Sequence, residues 1–147
     1  MKPINEMRLR IESRSVNEAF ARAAVSAFVS QLDPTLEEIS DIKTAVSEAV
    51  TNCIVHAYAD SVGQIYIWAG LYEDGGVRVK IRDTGCGIED VKKAMEPLYT
   101  TLGEERAGLG FAVMESFCDR LGVRSAPGKG TTVTLTKYIK GRNGCDD

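Results

Sequence analysis

Apolar residues recur at every second position in some stretches and every third or fourth in others, and the switches of period mark out the elements. Met7, Leu9 and Ile11 alternate with Arg8, Arg10 and Glu12, which predicts a half-buried strand. Ser15-Val-Asn-Glu18 reads as a capping box, with the serine oxygen meeting a free helix amide and the glutamate reaching back. The helix it opens runs to about residue 32. Its rows Phe20, Ala24, Phe28 and Val25, Val29, Leu32 predict a broad apolar face with Phe20 inward, leaving Glu18 and Arg22 on a neighbouring polar one.

Asp33-Pro34-Thr35 ends that helix, and Thr35-Leu-Glu-Glu38 is a second capping box. A stripe of Ile39, Ile42, Val46, Ala49 and Cys53 carries the next helix through Glu48 and Asn52. Residues 65–72 alternate again, Glu73-Asp-Gly-Gly76 is a hairpin turn, and Val77, Val79 and Ile81 alternate with Arg78, Lys80 and Arg82 up to Asp83. Residues 88–107 hold a short helical pattern and then a polar, glycine-punctuated stretch that predicts a mobile lid. A helix is expected from Leu109 to about Leu121, with Phe111, Met114, Phe117 and Leu121 inward. A hairpin of residues 122–126 and 131–139 closes the chain around Pro127-Gly-Lys-Gly130, and residues 141–147 read as a disordered tail.

Helices and hairpin strands without a regular β-α-β rhythm predict an α+β two-layer sandwich, a mixed, mostly antiparallel sheet with helices on one face. With 147 residues, 44% of them hydrophobic, the chain suits one domain over 1–147. The net charge of −3 and basic residues scattered along the sequence speak against direct nucleic-acid binding. The first residues lack an apolar signal core and no window approaches a membrane span, so a cytoplasmic protein without membrane attachment is expected. Cys53, Cys86, Cys118 and Cys145 show no Cys-x-x-Cys spacing, and Cys53 and Cys118 fall on apolar stripes as free buried thiols.

Four short segments carry the chemistry. At about 100° per residue, Glu48, Asn52 and His56 share one helical face that is polar where a core helix is apolar. A glutamate can take a proton from an attacking oxygen, and an asparagine carbonyl suits Mg²⁺. Asp83-x-Gly85-x-Gly87 and Gly108-Leu109-Gly110 are glycine loops that let backbone amides approach a nucleotide, the second placed just before a helix whose dipole favours phosphate. Gly128-Lys-Gly130-Thr131-Thr132 precedes the last strand. Each segment alone also has an ordinary reading: a solvated face, a turn, or, for His56, a charge on a helix end.

In this order the segments resemble the nucleotide boxes of the superfamily that contains DNA gyrase, the ninety-kilodalton heat-shock chaperones and the histidine kinases. Ser47-Glu-Ala-Val-Thr-Asn-Cys-Ile-Val-His56, Pro97-Leu-Tyr-Thr-Thr101 and Gly108-Leu-Gly-Phe111 are most similar to the bacterial anti-sigma serine kinases of the sporulation type, the anti-sigma F factors. Phe20-Ala-Arg22 and Phe28-Val-Ser-Gln-Leu-Asp-Pro34 extend the likeness, which runs from about residue 7 to about residue 140. The resemblance implies the histidine-kinase-like ATPase fold and a site for ATP or ADP with Mg²⁺. It makes Glu48 the general base, Arg106 the neutralising cation, Asn52 the Mg²⁺ ligand and Asp83 the acceptor for the adenine amino group. His56, Gly85, Gly87, Thr101, Gly108, Leu109, Gly110 and Thr131 would line the nucleotide.

It also implies a homodimer that holds sigma factor F through Glu18 and Arg22, and that phosphorylates an anti-anti-sigma protein on serine. A gyrase-like ATPase needs a following domain, and a histidine kinase needs a phospho-accepting histidine, whereas His56 is the only histidine and sits on the nucleotide helix. A stress-type anti-sigma kinase acting on sigma factor B, and a nucleotide-gated binding module without transfer, remain as alternatives.

Overall fold

Strand register decides what each face of this protein presents. A computed structural model describes residues 1–87 and 105–141, apart from the side chains of 105–109. It shows β1 (Asn5–Glu12), α1 (Val16–Val29) with a 3₁₀ turn (Ser30–Leu32), α2 (Leu36–Asn52), and a π turn (Cys53–Ala57). β2 (Gln64–Leu71), β3 (Gly76–Asp83), α3 (Glu105–Phe117), β4 (Arg120–Ala126) and β5 (Gly130–Tyr138) follow. The five strands form one sheet in the order β1-β2-β3-β5-β4. All four pairings are antiparallel, so no parallel component of the expected mixed sheet occurs among the described residues.

Cross-strand partners share a face. The rows Leu9-Ile67-Ile81-Val133-Val123 and Met7-Ala69-Val79-Leu135-Leu121 form the apolar side of the sheet. They join the buried Ala21, Val25 and Val29 of α1, Ile42, Ala45, Val46 and Ala49 of α2, and Phe111 and Met114 of α3 in one core. α2 lies between α1 and α3 and contacts both. No helix among the described residues is long and apolar enough to cross a membrane.

Of the two expected capping boxes, one forms. Glu38 accepts from the Thr35 amide at 2.9 Å, and the Thr35 hydroxyl accepts from the Glu38 amide at 3.1 Å. Ser15 is in helical backbone geometry and makes no side-chain cap. Glu18 cannot reach back because its carboxylate accepts from the Ser47 hydroxyl and pairs with Arg22 at 3.7 Å. The inward face of α1 is also rotated from expectation: Ala21, Val25 and Val29 are fully buried, while Phe20 is 52% exposed. α3 starts before Leu109, and Leu121 belongs to β4, where it opposes Leu135. Of the expected lid, 102–108, residues 102–104 lie outside the described residues and 105–108 are helical, and the short helical pattern expected from residue 88 also lies outside them.

The expected disordered tail, 141–147, fails at its first residue. Gly141 is buried, and its amide donates to Glu38 at 3.1 Å beside that of Lys140 at 2.7 Å. Residues 142–147 lie outside the description. One carboxylate thus clasps the start of α2 to the end of the sheet. Burial alone would raise the Glu38 carboxyl, but the amides of Thr35, Lys140 and Gly141 outweigh it and hold the group below its ordinary 4.5. A lowered carboxylate contributes stability that is present above its unfolded value and is lost as pH falls through the folded one. Glu38→Ala is expected to cost about 1–3 kcal/mol at pH 7. Urea unfolding checks this: the difference between variant and wild type should shrink on acidification below 4.5.

Candidate functional site

The sheet's end row, Ile11-Ile65-Asp83-Thr131-Ser125, sets one acid in an otherwise apolar or hydroxylic line beneath the helices. Asp83 is 5% exposed. Its Oδ1 accepts from the Gly85 amide at 3.0 Å and the Thr131 amide at 3.2 Å, and among the described residues its Oδ2 takes only the weak Cys53 thiol at 3.6 Å. Oδ2 therefore keeps acceptor capacity for a ligand N–H. Burial raises the Asp83 carboxyl above its ordinary 3.8, against the lowering effect of the two amides and the thiol. Burial, then the neighbouring Asp83, pushes the Cys53 thiol well above 9.0, so it stays protonated and donating.

Two glycines bring the loops together here. A Cβ at Gly85 would stand 2.3 Å from the Ala57 carbonyl oxygen, and one at Gly130, whose φ is +85°, would stand 2.1 Å from that of Asp83. Neither position accepts a side chain. Gly87 also has positive φ, and the Gly128 amide donates to the Cys86 carbonyl at 2.7 Å, tying this loop to the β4–β5 turn. The Thr131 hydroxyl is engaged with Ser125 at 2.7 Å, so Thr131 serves Asp83 through its amide alone.

Glu48 and Asn52 lie one turn apart near the end of α2, and α3 packs over them at Gly110. A Cβ on Gly110 would lie 3.1 Å from Asn52 Nδ2, 3.2 Å from its Oδ1 and 3.3 Å from Glu48 Oε2. That absence of a side chain lets the second glycine segment meet the acid and the amide. It also corrects the expected placement: Gly108 and Gly110 lie inside α3, which is already helical at Glu105, so Gly110 sits beyond the first turn and its value is close approach. Asn52 Nδ2 is buried without a hydrogen-bond partner among the described residues. An unmatched buried amide beside a carboxylate suits a site completed by a polar ligand.

The π turn changes the third member of the helical face. Tyr58 N–H donates to the Cys53 carbonyl at 3.1 Å, so 100° per residue no longer holds for His56, which lies within the turn. The same turn delivers Tyr58, which pattern reading missed. Its hydroxyl donates to the Gln64 carbonyl at 2.8 Å and accepts from the Thr84 amide at 2.7 Å, fixing the backbone next to Asp83. Cys53 was legible as a buried thiol, but nothing in its spacing pairs it with Asp83. Thr101 lies outside the described residues. Arg106, Gly108 and Leu109 fall in the first turns of α3.

Among the described residues no group of three or more His, Cys, Asp or Glu could hold a metal ion. Asn52 Oδ1, a single neutral oxygen, is the kind of ligand expected where Mg²⁺ is held mainly by phosphate oxygens, and its unmatched Nδ2 can donate to a ligand acceptor. On the far side of α2, Glu18 and Arg22 stand together on α1, Arg22 with 42% of its side chain exposed. Ser47, which donates to Glu18, directly precedes Glu48.

Comparison with known proteins places the chain in a family. The histidine kinase-like ATPase domain family matches residues 11–137. The anti-sigma F factor of Caldanaerobacter subterraneus subsp. tengcongensis is 61% identical over 140 residues, covering 95% of this chain and 96% of its own. That of Geobacillus kaustophilus is 52% identical over 136 residues, covering 92% and 93%. Among solved structures, the RsbU and RsbW domains of Rv1364c from Mycobacterium tuberculosis superpose with a TM-score of 0.69 at 24% identity. That match covers 93% of this chain and 33% of the other, and it is a likeness of fold.

Proposed function

The chain belongs to the histidine kinase-like ATPase family and, within it, to the anti-sigma F factors, and from this premise we propose that it is an ATP-dependent protein-serine kinase that captures a sigma factor. Its second substrate is the anti-anti-sigma protein, which displaces the sigma factor and is phosphorylated on serine. The observation that carries this reading is the meeting of Glu48, Asn52 and Gly110 at the α2–α3 contact. A base, a cation ligand and a close backbone there face the same small volume.

In this reading Asp83 Oδ2 accepts from the adenine amino group, held in place by Gly85, Thr131 and Cys53. Mg²⁺, when bound, neutralises phosphate charge and orients the transferring group. Asn52 offers it a carbonyl oxygen. Glu48 takes the proton of the acceptor serine as its oxygen attacks. Arg106 supplies positive charge to the developing transition state, and Gly108 and Leu109 bring the start of α3 to the phosphates. His56 and Thr101 complete the nucleotide's surroundings, and the working unit is a homodimer in the cytoplasm. Incubation with γ-labelled ATP tests the reaction. Label should pass to the anti-anti-sigma protein in a Mg²⁺-dependent way, and release of free phosphate alone would point instead to an ATPase or a gated binding module.

Glu18 and Arg22 form the proposed partner surface. The half-buried pair between them contributes about 1 kcal/mol or less to the fold, so its loss leaves the protein folded. A guanidinium that engages a partner carboxylate can be a hot spot of about 2 kcal/mol or more. Arg22→Ala is therefore expected to weaken sigma-factor capture about 30-fold with ATP affinity unchanged. Surface plasmon resonance with immobilised sigma factor checks it, and equal capture by the two proteins would remove α1 from the interface.

A further inference from the structure

Register places cations together that are far apart in the sequence. On the sheet face away from the helices, one row reads Arg10-Tyr66-Arg82-Thr132-Arg124 and the next Arg8-Trp68-Lys80-Thr134-Gly122. A third adds Arg78-Thr136-Arg120. Seven of the chain's 18 lysines and arginines share this face, in a protein whose net charge is −3. Scattered basic residues in the sequence thus become one basic surface in the fold.

The two carboxylates at its β1 edge are already engaged. Glu6 pairs with Arg8 at 3.5 Å and accepts from the Trp68 indole N–H at 2.8 Å, and Glu12 pairs with Arg14 at 3.2 Å. Arg10, Arg78, Lys80, Arg82, Arg120 and Arg124 are exposed, and none has an ion pair among the described residues. A shallow hollow of about 420 Å³ runs between β1 and β3, bordered by Arg8, Arg10, Tyr66, Trp68, Lys80 and Arg82.

We propose that this open sheet face is a docking surface for an extended, acidic segment of a protein partner. Arg78, Lys80 and Arg82 project from alternate positions of β3, about 7 Å apart, the repeat of carboxylates on every second residue of an extended chain. Arg82 lies over the Tyr66 ring at 4.4 Å from its centroid, and Lys80 over Trp68 at 5.4 Å. Those contacts hold the cations in place while their N–H groups remain free to donate to carboxylates. They also occupy the rings on which the bases of a single-stranded nucleic acid would stack. A second copy of this chain would set like charge against like charge.

The test uses the full chain with a fluorescein-labelled peptide of alternating glutamate and serine, and a dT oligonucleotide of equal charge as comparison. The peptide should bind, weaken as salt rises, and lose at least about 10-fold in affinity to Lys80→Gln/Arg82→Gln. Arg14→Gln/Lys43→Gln, which removes the same charge elsewhere, and Lys80→Arg/Arg82→Lys, which keeps it in place, should bind as wild type. Equal loss in both glutamine pairs would mean net charge alone. Tighter binding of the oligonucleotide would assign the face to nucleic acid. A wild-type dimer that falls to monomers in Lys80→Gln/Arg82→Gln, by sedimentation, would make the face an interface between copies. Each of these three outcomes, or absence of peptide binding, overturns the proposal. ATP affinity stays constant throughout, so its failure leaves the kinase reading standing.

Discussion

Replacing Glu48 with glutamine is expected, on the proposed reaction, to lower phosphoryl transfer by about 10²- to 10⁴-fold while ATP still binds. The amide keeps the shape of the side chain beside Gly110 and Asn52 and replaces a basic carboxylate with a neutral group too weakly basic to take the proton. The fold is untouched, because Glu48 makes no ion pair among the described residues. Calorimetry of ATP binding alongside single-turnover transfer separates the two effects. Wild-type transfer by Glu48→Gln would exclude it as the base and shift attention to another acceptor at the α2–α3 contact.

Asp83→Asn is expected to weaken ATP by about 10- to 100-fold, the worth of one or two bonds to a charged acceptor. An asparagine here must direct either its carbonyl or its NH₂ at the ligand, and it no longer offers two full acceptors for Gly85, Thr131, Cys53 and adenine together. pH supplies an independent check. Burial raises the Asp83 carboxyl above 3.8, so on acidification wild-type affinity falls before an ordinary aspartate would titrate. For stability the sign is opposite to that of Glu38: ionised Asp83 carries a burial cost, which protonation relieves as pH drops through the raised value. Normal ATP affinity in Asp83→Asn together with a flat pH profile would move the adenine site elsewhere.

Most of the sheet was legible because its signal is local. Alternation at Met7, Leu9 and Ile11 and at Val77, Val79 and Ile81 reports burial directly, and both strands occur where the period of two places them. α2 was equally readable, from the Thr35–Glu38 box to the stripe through Ala49. The errors fell where a helix offers two apolar faces. α1 has alanines and large side chains nearly all round, so the row through Phe20 and the row through Ala21 compete, and only the packing against α2 chooses between them. Ser15 and Glu18 had the right letters for a cap, but Ser47, distant in sequence, engages the glutamate. In the candidate site, the close approach of Gly110 to Glu48 and Asn52 joins residues that type and spacing single out, as they do Asp83. Cys53 and Tyr58 could not be singled out in this way, since their contacts with Asp83 and Thr84 arise from the π turn and from the close approach of β3.

That turn makes the number of residues at the end of α2 as consequential as their identity. An i to i+5 bond spans one residue more than the α-helical i to i+4 bond, so Cys53–Ala57 behaves as an insertion absorbed without leaving the helix. A chain shortened by one residue here, at the outward-facing Val55 for instance, would run on as ordinary α-helix. Everything beyond would then rotate by about 100° and retreat by about 1.5 Å. Tyr58 would swing off Gln64 and Thr84, and the Ala57 carbonyl would leave the Gly85–Cys86 backbone it now touches. Related chains can therefore exchange side chains in this segment far more readily than they can lose a position from it.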